Sequence, residues 1–92
     1  MTEAEDLDTG NLVPGATARA VLEYLVGSLV DDPDAVEIDV DEGRVVALRV
    51  RVAPDDMGRV IGRRGRIANA IRTVVGAAAA RDGVEVDVDF VD

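Results

Sequence analysis

The spacing of apolar residues changes period repeatedly along this chain, and each change dictates a different local structure. Between residues 16 and 30, Val21, Leu22, Leu25, Val26 and Leu29 recur at intervals of three and four, which places them on one face of an α-helix. Asp31-Asp32-Pro33-Asp34 stops that helix, because proline lacks the amide hydrogen and clashes with the preceding turn. Val36, Ile38 and Val40 then alternate with Glu37, Asp39 and Asp41, the period of a strand with one buried face. After the short turn Asp41-Glu42-Gly43, the residues Val46, Leu48, Val50 and Val52 continue the alternation, so the two strands form an antiparallel hairpin. The helical period returns from about Arg66 to Arg81, and Val84, Val86, Val88 and Phe90 alternate with acids as a third strand.

Between the hairpin and the long helix, Ala53-Pro54-Asp55-Asp56 has the chemistry of a helix start, an aspartate N-cap with acids in the first turn. A brief helix is expected from about Asp56 to Ile61, giving the order α-β-β-α-α-β. In the long helix the spacing predicts an inward stripe of Ile67, Ala70, Ile71, Val74 and Ala78, with Gly83 as the C-terminal cap. One-sided strands and amphipathic helices bury each other as a two-layer α+β domain, a three-stranded sheet covered on one face by three helices. Pro14-Gly15 marks its start. Residues 1–14, acidic and aperiodic, read as a disordered tail, and residues 15–92 as the domain.

Composition narrows the chemistry. The chain has no cysteine and no histidine, so a disulfide framework and the commonest general base and metal ligand are absent. No cofactor and no metal are expected. Asp55 and Asp56 fit a helix cap better than acid–base machinery, and no enzymatic role is expected. No stretch approaches the roughly 20 apolar residues of a membrane span, and the N-terminus lacks a basic segment followed by an apolar run. A cytoplasmic protein without a membrane partner is the expectation.

The net charge of −9 would repel a polyanion if it were spread evenly. It is not. Residues 1–43 carry twelve acids and one arginine; residues 44–72 carry eight arginines and two acids; residues 73–92 return to five acids against Arg81. Screening within about 8 Å at physiological salt lets such a basic patch act locally. With the second strand in the middle of the sheet, Arg49 and Arg51 on its solvent face gain acidic cross-strand neighbours, each pair contributing roughly 0.2–1 kcal/mol. They are then structural, and the functional patch shrinks to Val60-Ile61-Gly62-Arg63-Arg64-Gly65-Arg66-Ile67.

Four residues joining two helices require a sharp turn, and glycine adopts backbone angles that other residues resist. Gly62 and Gly65 also let the main chain approach a ligand, and the loop feeds the N-terminus of the long helix, which favours an anion. Arg63 and Arg64 stand at the tip, flanked by Arg59 and Arg66. A phosphodiester suits this geometry; a plain helix–helix turn with solvated arginines is the alternative. The segment lacks the Lys-Ser/Thr of a P-loop and the spacing of a dinucleotide fingerprint. A helix-turn-helix reading is poor, because Val74 to Ala80 offers few base-reading side chains.

Val60-Ile61-Gly62-Arg63-Arg64-Gly65-Arg66-Ile67-Ala68-Asn69-Ala70-Ile71 resembles the signature of KH domains, whose GXXG loop clamps a nucleic-acid backbone. The element order is similar to the type II, prokaryotic variant. The segments Ala53 to Gly62 and Arg72-Thr73-Val74-Val75 are also similar to those of small bacterial single-KH proteins. The resemblance implies non-catalytic binding of single-stranded RNA, as a chaperone or post-transcriptional regulator. It implies that Gly62, Arg63, Arg64 and Gly65 form the clamp and that Arg59 and Arg66 are supporting phosphate contacts. Ile61, Ile67 and Ile71 fit either the groove wall or the core. It further implies a homodimer, or a heterodimer with a larger Jag-type RNA-binding protein. Two features depart from the pattern: Arg-Arg inside the loop, where relatives usually carry lysine with a polar neighbour, and the acidic tail. No exposed aromatic is evident as a stacking platform, so a lone copy lacks the roughly 1–3 kcal/mol per base that stacking supplies. The small-residue segment Gly76 to Ala80 permits close helix approach in the core or across a dimer. A protein-interaction module, with RNA contact secondary, is the rival reading.

Overall fold

A computed structural model of the protein describes residues 15–91. The tail expected at residues 1–14 lies outside the described residues. Helix α1 spans Ala16–Leu29, strands β1 and β2 span Glu37–Asp41 and Val46–Arg51, helices α2 and α3 span Met57–Ile61 and Arg66–Arg81, and strand β3 spans Val86–Phe90. Both prolines after α1 do what proline does: Pro33 and Pro54 each open a single 3-10 turn. The sheet order is β1-β2-β3. β1 runs antiparallel to β2, with Glu37 opposite Arg51 and Asp39 opposite Arg49. β3 runs parallel to β2, with Val46 opposite Val86 and Val50 opposite Phe90, as the α2–α3 crossover requires.

All three helices cover one face, and the expected two-layer α+β architecture is present. β2 supplies Val46, Leu48 and Val50 to the core; α1 supplies Ala18, Leu22 and Val26; Val60, Ile71, Val75 and Val88 complete it. Burying each large side chain contributes roughly 1.5–3 kcal/mol. β1 lies at the sheet edge, where Val36 and Ile38 are half-buried and Val40 is exposed. On the solvent face, Arg51 meets Asp39 at 2.8 Å and Arg49 meets Asp41 at 3.6 Å. Strand two is therefore central and its arginines are ion-paired, although along diagonals of the register rather than with the residues directly opposite.

Two expectations are corrected. The buried row of α3 is Ala68, Ile71, Val75 and Ala79, one step round the helix from the predicted stripe. Ile71 alone is shared; Ala70 is exposed, Val74 is 48% exposed, and Ala78 is half-buried. Adjacent rows of this helix are both apolar, so apolarity alone does not choose the row that faces the core. Nor does Asp56 cap its own helix. Its buried carboxylate instead accepts hydrogen bonds from the amides of Asp31 and Asp32, each at 3.1 Å. Those amides follow the end of α1 and would otherwise lack partners in a part-buried place. The expected stop at Gly83 holds. Gly83 adopts φ +72°, its N–H donates to Ala80 O, and Val84 N–H donates to Ala79 O, the paired bonds of a Schellman ending.

Candidate nucleic-acid interface

The glycine loop begins where α2 ends. Gly62 N–H donates to Gly58 O at 2.9 Å, and Gly65 N–H closes back on Gly62 O at 3.1 Å. Gly62 has φ 76°, ψ 173°, a region essentially restricted to glycine. A Cβ there would also lie 2.6 Å from Ile67 Cγ1, so the residue is excluded from substitution by conformation and by packing. Gly65, at φ 73°, faces open space. Between them Arg64 holds φ 58°, ψ 24°, a left-handed conformation costly for a residue with a side chain. That conformation turns two successive arginines out to solvent at the head of the 16-residue α3.

The base of the loop is tied down by charge. Arg59 Nη2 lies 2.9 Å from Asp31 and its Nε lies 3.3 Å from the buried Asp56. The exit of α1, the start of α2 and the loop thus share one knot of two carboxylates, one guanidinium and two amides. Arg59 flanks the loop as expected, with its charge engaged by these two acids. Arg63, Arg64 and Arg66 differ: no carboxylate of a described residue pairs with them.

The three isoleucines separate. Ile71 is 4% exposed and belongs to the core; Ile61 is half-buried against it; Ile67 covers Gly62 and stays 36% exposed. Together with Leu25 of α1, the residues Ile67, Ala70, Ile71 and Val74 line an apolar groove of about 230 Å³, with Arg66 at its rim. The predicted inward stripe is thus the wall of an open seam between α1 and α3.

One basic residue stands beside the clamp that sequence reasoning placed nowhere. Arg72 Nε donates to Val88 O at 3.0 Å, its Nη1 donates to Asn69 Oδ1 at 3.0 Å, and its guanidinium lies over the Phe90 ring, 5.6 Å from the centroid. The available signal was spacing: Arg72 follows Gly65 by seven residues, two helical turns along the same face. Among the described residues no group of acids could hold a metal ion, and no helix is long and apolar enough to cross a membrane.

Comparison with known proteins agrees with this geometry. Residues 19–90 match the family model described as KhpA/KhpB, KH domain. The chain is 55% identical over 74 residues to a Streptomyces coelicolor protein named RNA-binding protein KhpA, covering 77% of this chain and 90% of that one. It is 47% identical over 73 residues to the protein of the same name from Borreliella burgdorferi, covering 78% and 89%. The Mycobacterium bovis protein of that name is 47% identical over 68 residues, covering 73% and 84%. The matched span runs from α1 through β3 and includes the whole glycine loop, and the chain belongs to the KhpA/KhpB KH-domain family.

Proposed function

We propose that this protein binds single-stranded RNA without catalysis, holding the phosphate backbone on Gly62, Arg63, Arg64 and Gly65. The observation that carries the reading is the loop conformation: positive φ at Gly62, Arg64 and Gly65 presents arginines that pair with no carboxylate of a described residue at the N-terminus of α3. Backbone amides and a helix dipole attract an anion there, and the guanidinium fork matches phosphate oxygens. Arg66 adds a third charge. Arg59 supports the site by fixing its base, and Ile61 and Ile67 form the apolar wall beside it. The names of the relatives support RNA as the polyanion. Work as a chaperone or post-transcriptional regulator follows from weak, sequence-tolerant binding of this kind.

A second reading has its own observation. The α1–α3 seam leaves Ile67 and Val74 substantially exposed next to Leu25, and a second copy or a KhpB (Jag-type) partner seated there would bury them. A dimer would also raise apparent affinity through effective concentration. Replacing Arg63 and Arg64 by Asp separates the functions. The expected result is loss of RNA crosslinking with self-association retained. Undiminished crosslinking would overturn the clamp.

A further inference from the structure

Arg72 makes two side-chain hydrogen bonds to protein acceptors, yet it is exposed. Two of its donors are spent on neutral acceptors, a strand carbonyl and an amide oxygen, and no carboxylate of a described residue pairs with it. Arg49, Arg51 and Arg59 contrast with it, each being satisfied by carboxylates. A guanidinium fixed at Nε and Nη1 and backed by an aromatic ring has its plane set in advance. A planar cation whose orientation costs nothing at the moment of binding is a stacking surface for a nucleobase.

Its position fits the same purpose. Gly65, Asn69 and Arg72 follow one another at helical spacing down a single face of α3, with Arg72 about 10 Å from the clamp along the axis. That face borders β3, which among the described residues is an edge strand paired with β2 on its other side. Glu85 O and Val91 N bond to β2, so the alternation of the parallel ladder turns the backbone groups of Val86, Val88 and Phe90 toward the free edge. The Val88 carbonyl taken by Arg72 is one of these.

We infer that Arg72, braced on Phe90, Val88 and Asn69, is the base-stacking platform for the RNA strand whose phosphates the glycine loop holds. The inference rests on the clamp reading. Contrary to the sequence expectation that no aromatic is exposed, Tyr24 stands 74% exposed on α1; Arg72 supplies a stacking surface on α3, the helix that the glycine loop leads into. A KH footprint of about four nucleotides spans the distance from the loop to this residue. Purines, with the larger π-face, stack best and are preferred over pyrimidines.

The test compares an adenosine octamer with an abasic octamer carrying the same phosphates, by fluorescence anisotropy. Wild-type protein is expected to bind the adenosine octamer about tenfold more tightly, in keeping with stacking energies in other modules. Arg72→Lys keeps the charge and loses the plane. It is expected to abolish that ratio by weakening the adenosine octamer while leaving the abasic one within about twofold. Phe90→Leu keeps an apolar strand residue, removes the backing ring and should reduce the same ratio. Equal weakening of both oligomers by Arg72→Lys, or a wild-type protein that does not distinguish them, would overturn the assignment. Arg63/Arg64 reversal read in the same assay keeps the two claims apart. If it abolishes binding while both Arg72→Lys and Phe90→Leu leave the ratio unchanged, the clamp stands and the platform falls.

Discussion

The outer face of the sheet and the glycine loop are both arginine-bearing, and they use arginine in opposite ways. On the sheet, Arg49 and Arg51 stand on a central strand between acidic neighbours, and each contacts an aspartate of β1. At the loop, Arg63, Arg64 and Arg66 face solvent and pair with no carboxylate of a described residue. Arg59 sits at the boundary, with its charge directed back into Asp31 and Asp56. A basic segment of sequence is therefore not a basic surface. On the proposed reading, a ligand-binding arginine is one with no carboxylate partner among the described residues and a backbone that presents it.

The comparison can be broken where the backbone does the presenting. Gly62→Ala places a side chain in a glycine-only conformation and against Ile67, and should destabilise the fold by about 2–4 kcal/mol. Gly65→Ala meets no neighbour and should cost about 1–2 kcal/mol from its left-handed backbone alone. Urea denaturation of the pair reads the difference; equal losses would mean that Ile67 yields freely.

The knot under the loop offers the next test. Asp56→Ala leaves the Asp31 and Asp32 amides and Arg59 Nε without their acceptor, Arg59 Nη2 keeping Asp31, and should cost about 2 kcal/mol, seen as a lower denaturation midpoint with an unchanged slope. A loss below about 0.5 kcal/mol would show that water replaces the carboxylate without penalty. The smallest effect belongs to the sheet. Arg49→Ala with Arg51→Ala should cost less than about 1 kcal/mol in stability, as exposed ion pairs do, and leave RNA affinity within about twofold. A larger fall in affinity would return the sheet face to the binding surface.

Most of the fold was legible because period switches are local. α1, the hairpin, α3 and the Gly83 stop follow from spacing within a dozen residues, whereas the strand order was only a condition on the charge argument until the structure placed β2 in the middle. The turn at the loop was legible for the same reason: two glycines bracketing two residues between apolar segments mark a sharp helix–helix connection. What could not be read depends on distance. Both rows of α3 are apolar, so its rotation is set by tertiary packing against α1, α2 and β3 and not by the hydrophobicity of Ile67 and Val74. Asp56 looks like a local cap because its true partners lie 24 and 25 residues away. Arg72 is one arginine among eight in its segment until β3 returns to place Val88 and Phe90 beside it.

The central claim, that the unpaired arginines of the loop carry RNA binding and the paired ones do not, is tested most directly by the salt dependence of affinity. Three phosphate contacts predict a log-log slope near −2 for single-stranded RNA, at roughly −0.7 per contact. Arg63→Ala with Arg64→Ala should reduce it to about −0.7, whereas Arg49→Ala with Arg51→Ala should leave it unchanged. A slope that fails to change in the loop variant, or that falls in the sheet variant, would contradict the account.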